Sequence, residues 1–156
     1  LYAFTSTPST MPLYILTAGQ VFLARAEAAK MGWTTEVAAT MYANGITAEM
    51  NRWGITNAGT IATYLAQASV ALNGSATDNQ KIAEQRWLSH FPDGNQGWAE
   101  WRRTGFPVLL PAPGTTTIPR RIPYGPNEGL YNSANYATAA ATYNNNSKDA
   151  KVWWDK

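Results

Sequence analysis

From Gly105 to Gly129 the chain carries six prolines and four glycines in 25 residues, and no other stretch restricts its folding as severely. Each proline fixes φ and removes a backbone donor, so neither a helix interior nor a central strand can run through this segment. Yet the same segment holds Phe106, Val108, Leu109, Leu110, Ile118, Ile122 and Tyr124. Burying side chains of this size is worth roughly 1.5–3 kcal/mol each, so the segment gains by packing. A disordered stretch would need low hydrophobicity and high net charge, and this one has neither. We therefore expect an ordered loop that wraps around a body built by the rest of the chain. Val108-Leu109-Leu110 is the one strand-like run, and Pro107 and Pro111 bound it too tightly for a central strand. The regular structure is expected to be all-α.

The periodicity elsewhere agrees. Pro12 fits the first turn of a helix running to about Met31, with Gly32 as its stop. Ile15, Ala18, Phe22, Ala26 and Ala29 recur three and four apart and predict its inner face. A second helix, about Thr35 to Trp53, carries Ala38, Tyr42, Ile46, Met50 and Trp53 on a matching stripe and ends at Gly54. Gly19, Ala26, Ala28 and Ala29 are small enough to let the two helices approach closely as an αα-hairpin of tetratricopeptide-like length. A third helix is predicted over Ala58–Leu72. A fourth runs from Asp78 to Phe91, opened by a Thr77/Gln80 capping box, with Ala83, Trp87, Leu88 and Phe91 facing inward. A short helix over Gln96–Arg103 follows the turn at Pro92-Asp93-Gly94, and a last one covers Ser133–Tyr143.

Composition narrows the function classes. A formal charge of +2 with 14% charged residues is too mild for a phosphate-tracking surface, so no nucleic-acid partner is expected. Without cysteine there is no disulfide, thiol nucleophile or thiolate metal site. No run approaches the ~20 apolar residues of a membrane-spanning helix. The opening LYAFTSTPST, with neither Met nor export signal, reads as the continuation of a longer precursor.

Seven tryptophans and eight tyrosines supply flat rings suited to the apolar faces of sugars. Trp87, Trp98 and Trp101 stand at helical spacing and are expected in the core. Trp33 and Trp53 sit at helix ends, where a ring stays partly exposed, and are the candidate glycan-binding residues. Arg102-Arg103 and Arg120-Arg121 suit an anion clamp, but structural ion pairing that pins the proline-rich loop is the expected role, with Glu100 reaching Arg103 at i,i+3. A glycoside hydrolase needs two carboxylates about 5–9.5 Å apart across the scissile bond. Glu84, Asp93 and Glu100 are the acidic residues near aromatics, and nothing beyond proximity recommends them. His90, the one histidine, is expected to complement a helix C-terminus rather than act as a base. No catalytic residue, metal ligand or cofactor is predicted.

The order of motifs carries a resemblance. AEAAKMGW at Ala26–Trp33, YANGITAEMNRWGI at Tyr42–Ile55, IAEQRWLSHFPDGNQGWAEWRRTGFP at Ile82–Pro107, IPRRIPYGPNE at Ile118–Glu128 and the closing VWWDK at Val152–Lys156 together resemble the C-terminal region of SusD-like (SusD/RagB) proteins. The resemblance implies residues 1–156 as the C-terminal part of one SusD-like domain, with a helical hairpin region over 12–72 and signature helices plus wrapping loop over 78–156. It also implies a non-enzymatic, lipid-anchored protein of the bacterial outer membrane and cell surface. Such a protein captures oligosaccharides, or in some relatives peptides, for a SusC-like TonB-dependent transporter. The family's N-terminal part, with its lipidation cysteine and much of its ligand-binding face, is not in this sequence and becomes an expected partner. The rival expectation is a helix-repeat scaffold that binds protein alone.

Overall fold

The computed structural model describes residues 14–156. Among these the regular structure is entirely helical: α1 (Ala18–Lys30), α2 (Ala38–Arg52), α3 (Ala58–Leu65), α4 (Asp78–Ser89), α5 (Gly94–Thr104), α6 (Pro126–Tyr131) and α7 (Ser133–Thr142). The first helix starts later than Pro12 would have it. Pro12 itself lies outside the described residues, but residues 14–17 are not helical, and Thr17 is the N-cap. A capping box closes this end, the Gln20 N–H donating to Thr17 Oγ1 and the Thr17 N–H to Gln20 Oε1, both at 3.1 Å.

Both helices of the first hairpin end in the same way. Gly32 and Gly54 take φ of +74° and +82°. The Trp33 and Ile55 N–H groups then reach back to the carbonyls of Ala28 and Met50, both at 2.9 Å, which satisfies helix-end acceptors in a Schellman motif. The faces that meet differ from the expected stripe. Gly19, Leu23 and Ala26 are the buried positions of α1, whereas Ile15 is 86% exposed, Ala18 is exposed and Phe22 is half-buried. The buried face is turned toward the close-approach glycines rather than toward the larger apolar residues. Gly19 and Gly45 bring the backbones together, and a Cβ on Gly45 would lie 2.7 Å from Leu23 Cγ.

One core joins α1, α2 and α4: Leu23, Ala26, Tyr42, Ile46, Val70 and Ile82. Val70 follows α3, which stops at Leu65 rather than at Leu72. Tyr42 fixes the tail of that segment by donating its hydroxyl to the Val70 carbonyl at 3.0 Å, and Lys81 Nζ donates to the Ala68 carbonyl at 2.9 Å. The expected capping box at Thr77 is also absent, since Thr77 makes no side-chain cap. Asp78 organises the turn instead, accepting from the Asn73 and Gly74 N–H groups at 3.0 and 2.9 Å and pairing with Lys30 at 3.0 Å.

The proline-rich segment is held by arginines. Arg102 lies between the rings of Trp98 and Trp154, at 3.6 and 4.5 Å from their centroids, and donates to the Arg120 carbonyl at 2.8 Å. Arg120 covers Trp101 at 4.6 Å and pairs with Asp155, which ties the VWWDK end to the loop. Arg121 is buried against Tyr124 and Tyr143 and donates to Asn146 Oδ1 at 2.9 Å. Ion pairing was the expected role of these arginines, and Arg120 fills it, whereas Arg102 and Arg121 hold the loop through stacked rings, a backbone carbonyl and an amide. One short helix, α6, interrupts a stretch expected to be irregular, because Pro126 sits at its start, where a missing N–H costs nothing.

Candidate functional site

The two tryptophans singled out from the sequence lie at opposite ends of the first hairpin. The 15 residues of α2 separate them, about 22 Å of helix, so one short saccharide cannot rest on both rings. Trp33 stands just past Gly32 in the turn between α1 and α2 and is 76% exposed. Trp53 is the C-cap of α2 and is half-buried. The Arg52 guanidinium lies 4.6 Å over its ring, and Phe91 meets it at 5.6 Å with planes inclined by 46°. Arg52 is itself fixed, donating from Nε to Glu49 Oε2 at 2.8 Å and from Nη2 to the Phe91 carbonyl at 3.2 Å.

Two clefts flank Phe91. One, of about 440 Å³, lies between α2, α3 and α4 and is walled by Trp53, Met50, Ile55, Tyr64, Leu88 and Phe91. The other, of about 330 Å³, lies between the end of α4, α5 and the proline-rich loop, walled by Trp87, Phe91, Trp98, Trp101, Leu109 and Ile118. Leu88 and Phe91 therefore do not face inward as their spacing predicts. They are 49% and 61% exposed and form the ridge between the clefts. Of the three tryptophans expected in the core, Trp101 is buried while Trp87 and Trp98 are half-buried walls.

The acidic residues near these rings have other work. Glu84 accepts from Gln80 Nε2 at 2.8 Å, and Asp93 caps α5 through the Asn95 and Gln96 N–H groups. Glu100 is buried between Arg86 and Arg103, at 3.1 and 2.7 Å, and both arginines also hold Glu27 of α1. Two guanidinium groups against two carboxylates neutralise one another and bolt α1, α4 and α5 together. His90 is the C-cap of α4, with Nδ1 3.3 Å from Gln20 Nε2. Burial pushes its pKa down, so at neutral pH it carries no charge with which to complement the helix end. Among the described residues no group of three or more His, Asp or Glu side chains could hold a metal ion, and no helix is long and apolar enough to cross a membrane.

The ridge could not be read from the sequence. Leu88 and Phe91 continue the apolar spacing of α4, and spacing does not report whether a face is covered.

The chain is similar to known proteins over most of its length. The sequence model of the SusD-like family, described as starch-binding associating with outer membrane, matches residues 2–125. A Bacteroidetes SusD-like structure is 31% identical with a TM-score of 0.77, over 90% of this chain and 30% of its own. A chitin-binding protein is 28% identical with a TM-score of 0.74, over 89% of this chain and 32% of its own. A SusD homologue from Bacteroides fragilis is 28% identical with a TM-score of 0.77, over 96% of this chain and 36% of its own. The chain thus spans about a third of the length of each of these proteins. No curated protein sequence matches it.

Proposed function

This chain belongs to the SusD-like family, and from that premise we propose that it is the helical C-terminal part of a glycan-binding protein at the outer membrane. The protein captures oligosaccharides at the cell surface and hands them to a SusC-like TonB-dependent transporter. It is held there by a lipid anchor in the part of the polypeptide outside this chain, and it cleaves nothing. The observation that carries this reading is the family match over residues 2–125, whose description is starch binding, joined by likeness to a chitin-binding protein. The carboxylates support the absence of bond cleavage. Among the described residues, Glu84, Asp93, Glu100 and Glu49 near the rings are each held in an amide contact, a cap or an ion pair rather than set in pairs across a cleft.

Of the two candidate rings, we assign glycan contact to Trp33. Its indole stands open on a rigid turn, whereas Trp53 is flanked by Arg52 and Phe91. The Schellman turn fixes the backbone that carries the ring, so only side-chain freedom is lost when a pyranose stacks on it.

Native affinity gels containing starch or a soluble chitin derivative, run with the complete protein, test the assignment. The wild-type protein is retarded on at least one polysaccharide, and Trp33→Ala weakens retention at least about tenfold, or 1.4 kcal/mol, with an unchanged circular dichroism spectrum. Retention that survives Trp33→Ala removes the ring assignment. Unretarded migration on every polysaccharide, with the transporter still co-purifying, replaces glycan capture by the scaffold reading.

A further inference from the structure

The two clefts beside Leu88 and Phe91 are one apolar groove divided by a low ridge, and its lining is almost wholly carbon. The carboxylate, amide and hydroxyl groups at its edges are already engaged within the chain. Glu49 takes Arg52, Gln85 donates to the Tyr64 hydroxyl at 2.9 Å, the Ser89 hydroxyl donates to the Arg86 carbonyl at 2.7 Å, and Asp93 caps α5. A saccharide would bring a dense array of hydroxyls to a surface with few groups left to receive them, and each hydroxyl desolvated without a partner opposes binding. An apolar protein surface asks for no such groups. A contiguous exposed apolar patch of this kind marks an interaction surface.

The relatives indicate what covers it. This chain corresponds to 30%, 32% and 36% of three SusD-like or glycan-binding structures, so about two thirds of such a polypeptide lies outside it. We propose that the Trp53–Leu88–Phe91–Trp98 groove is the seat of that remaining polypeptide, whose apolar side chains close over Leu88 and Phe91 in the complete fold. The inference rests on family membership but not on glycan binding, and the two fail separately. It gives Trp53 a role in joining two parts of one protein and leaves Trp33, at the far end of the hairpin, open to ligand.

This chain has no cysteine, so each introduced thiol is the one within it, and labelling of the unsubstituted complete protein is subtracted as background. Leu88→Cys and Phe91→Cys are introduced one at a time into the complete protein, with Ala76→Cys in the exposed loop before α4 as reference. Maleimide labelling rates are taken without glycan, each relative to the same variant in denaturant. The thiols at 88 and 91 should be slowed at least about tenfold while the thiol at 76 is not, because a thiol under a packed interface reacts only when the interface opens. Equal labelling at all three positions would overturn the proposal. So would protection at 88 and 91 that appears only on adding malto- or chito-oligosaccharide, which would make the groove a glycan site.

Discussion

Glu100 keeps a negative charge out of water because Arg86 and Arg103 reach it from two helices, and both also hold Glu27. Removing one member of a buried pair leaves its partners uncompensated, which costs far more than an exposed pair is worth. Glu100→Gln should therefore destabilise the fold by about 3 kcal/mol in urea denaturation. The contact to Arg103 was visible in the i,i+3 spacing. Glu27 was not, because it lies 76 positions from Arg103 and only the packing of α1 on α4 brings it near. Asp78 poses a similar question with a pH signature. Burial alone would raise its pKa, but the Asn73 N–H, the Lys30 ammonium and the Gly74 N–H outweigh it and hold the carboxyl below its ordinary 3.8. A folded-state pKa below the unfolded one stabilises the protein above the unfolded value, and that contribution is lost as pH falls through the folded one. Asp78→Asn is accordingly expected to cost about 2 kcal/mol at pH 7. The gap to wild type should narrow as the pH falls below 3.8 in an acid series of denaturation curves.

At the scale of elements, the glycines decide how closely helices meet. A methyl group on Gly45 would press on Leu23 Cγ at 2.7 Å and on the Gly19 carbonyl at 3.2 Å, in a helix crossing with no slack. Gly45→Ala should destabilise by about 1–3 kcal/mol of overpacking, less the ~1 kcal/mol that alanine contributes as a helix former, read as a lowered urea midpoint. Thr17→Ala removes a capping box and should cost about 1 kcal/mol by the same assay. Helix ends were legible where glycine must take a positive φ, at Gly32 and Gly54. Helix starts were less so. Thr17/Gln20 and Thr77/Gln80 are the same motif, yet only the first forms a cap, because Thr77 has helical rather than extended backbone angles, φ −71° and ψ −11°, and its hydroxyl is bonded to Ser75 Oγ at 2.6 Å. Apolar spacing found Tyr42, Ile46 and Ala26 but misplaced Ile15, Leu88 and Phe91. Periodicity reports which residues share a face, and whether that face is covered depends on elements distant in sequence.

For the whole molecule, the proline-rich loop is fastened around Arg120 and Arg121 by guanidinium groups stacked on aromatic rings, and the closing VWWDK is the outer half of that fastening. Asp155→Ala removes the ion pair between Arg120 and the chain end and leaves the Arg120 Nη2 contact to the Lys156 carbonyl at 2.7 Å as the remaining tie of that side chain to it. Cleavage by a nonspecific protease within residues 105–125 should then speed up about tenfold, since proteolysis follows the population of the opened loop. The fold class and the clasping role of the arginines were readable from composition and motif order. The helix-end positions of Trp33 and Trp53 signalled partial exposure of both rings, but that Arg52 and Phe91 flank Trp53 while Trp33 stays 76% exposed was not legible, since Phe91 is brought to Trp53 only by the packing of distant elements. The central question is whether the complete protein captures sugars. Isothermal titration of the complete protein with malto- and chito-oligosaccharides of graded length tests that most directly. Saturable binding of at least one series, lost in Trp33→Ala while Trp53→Ala retains it, is the predicted result. Heats indistinguishable from dilution for every oligosaccharide would contradict it.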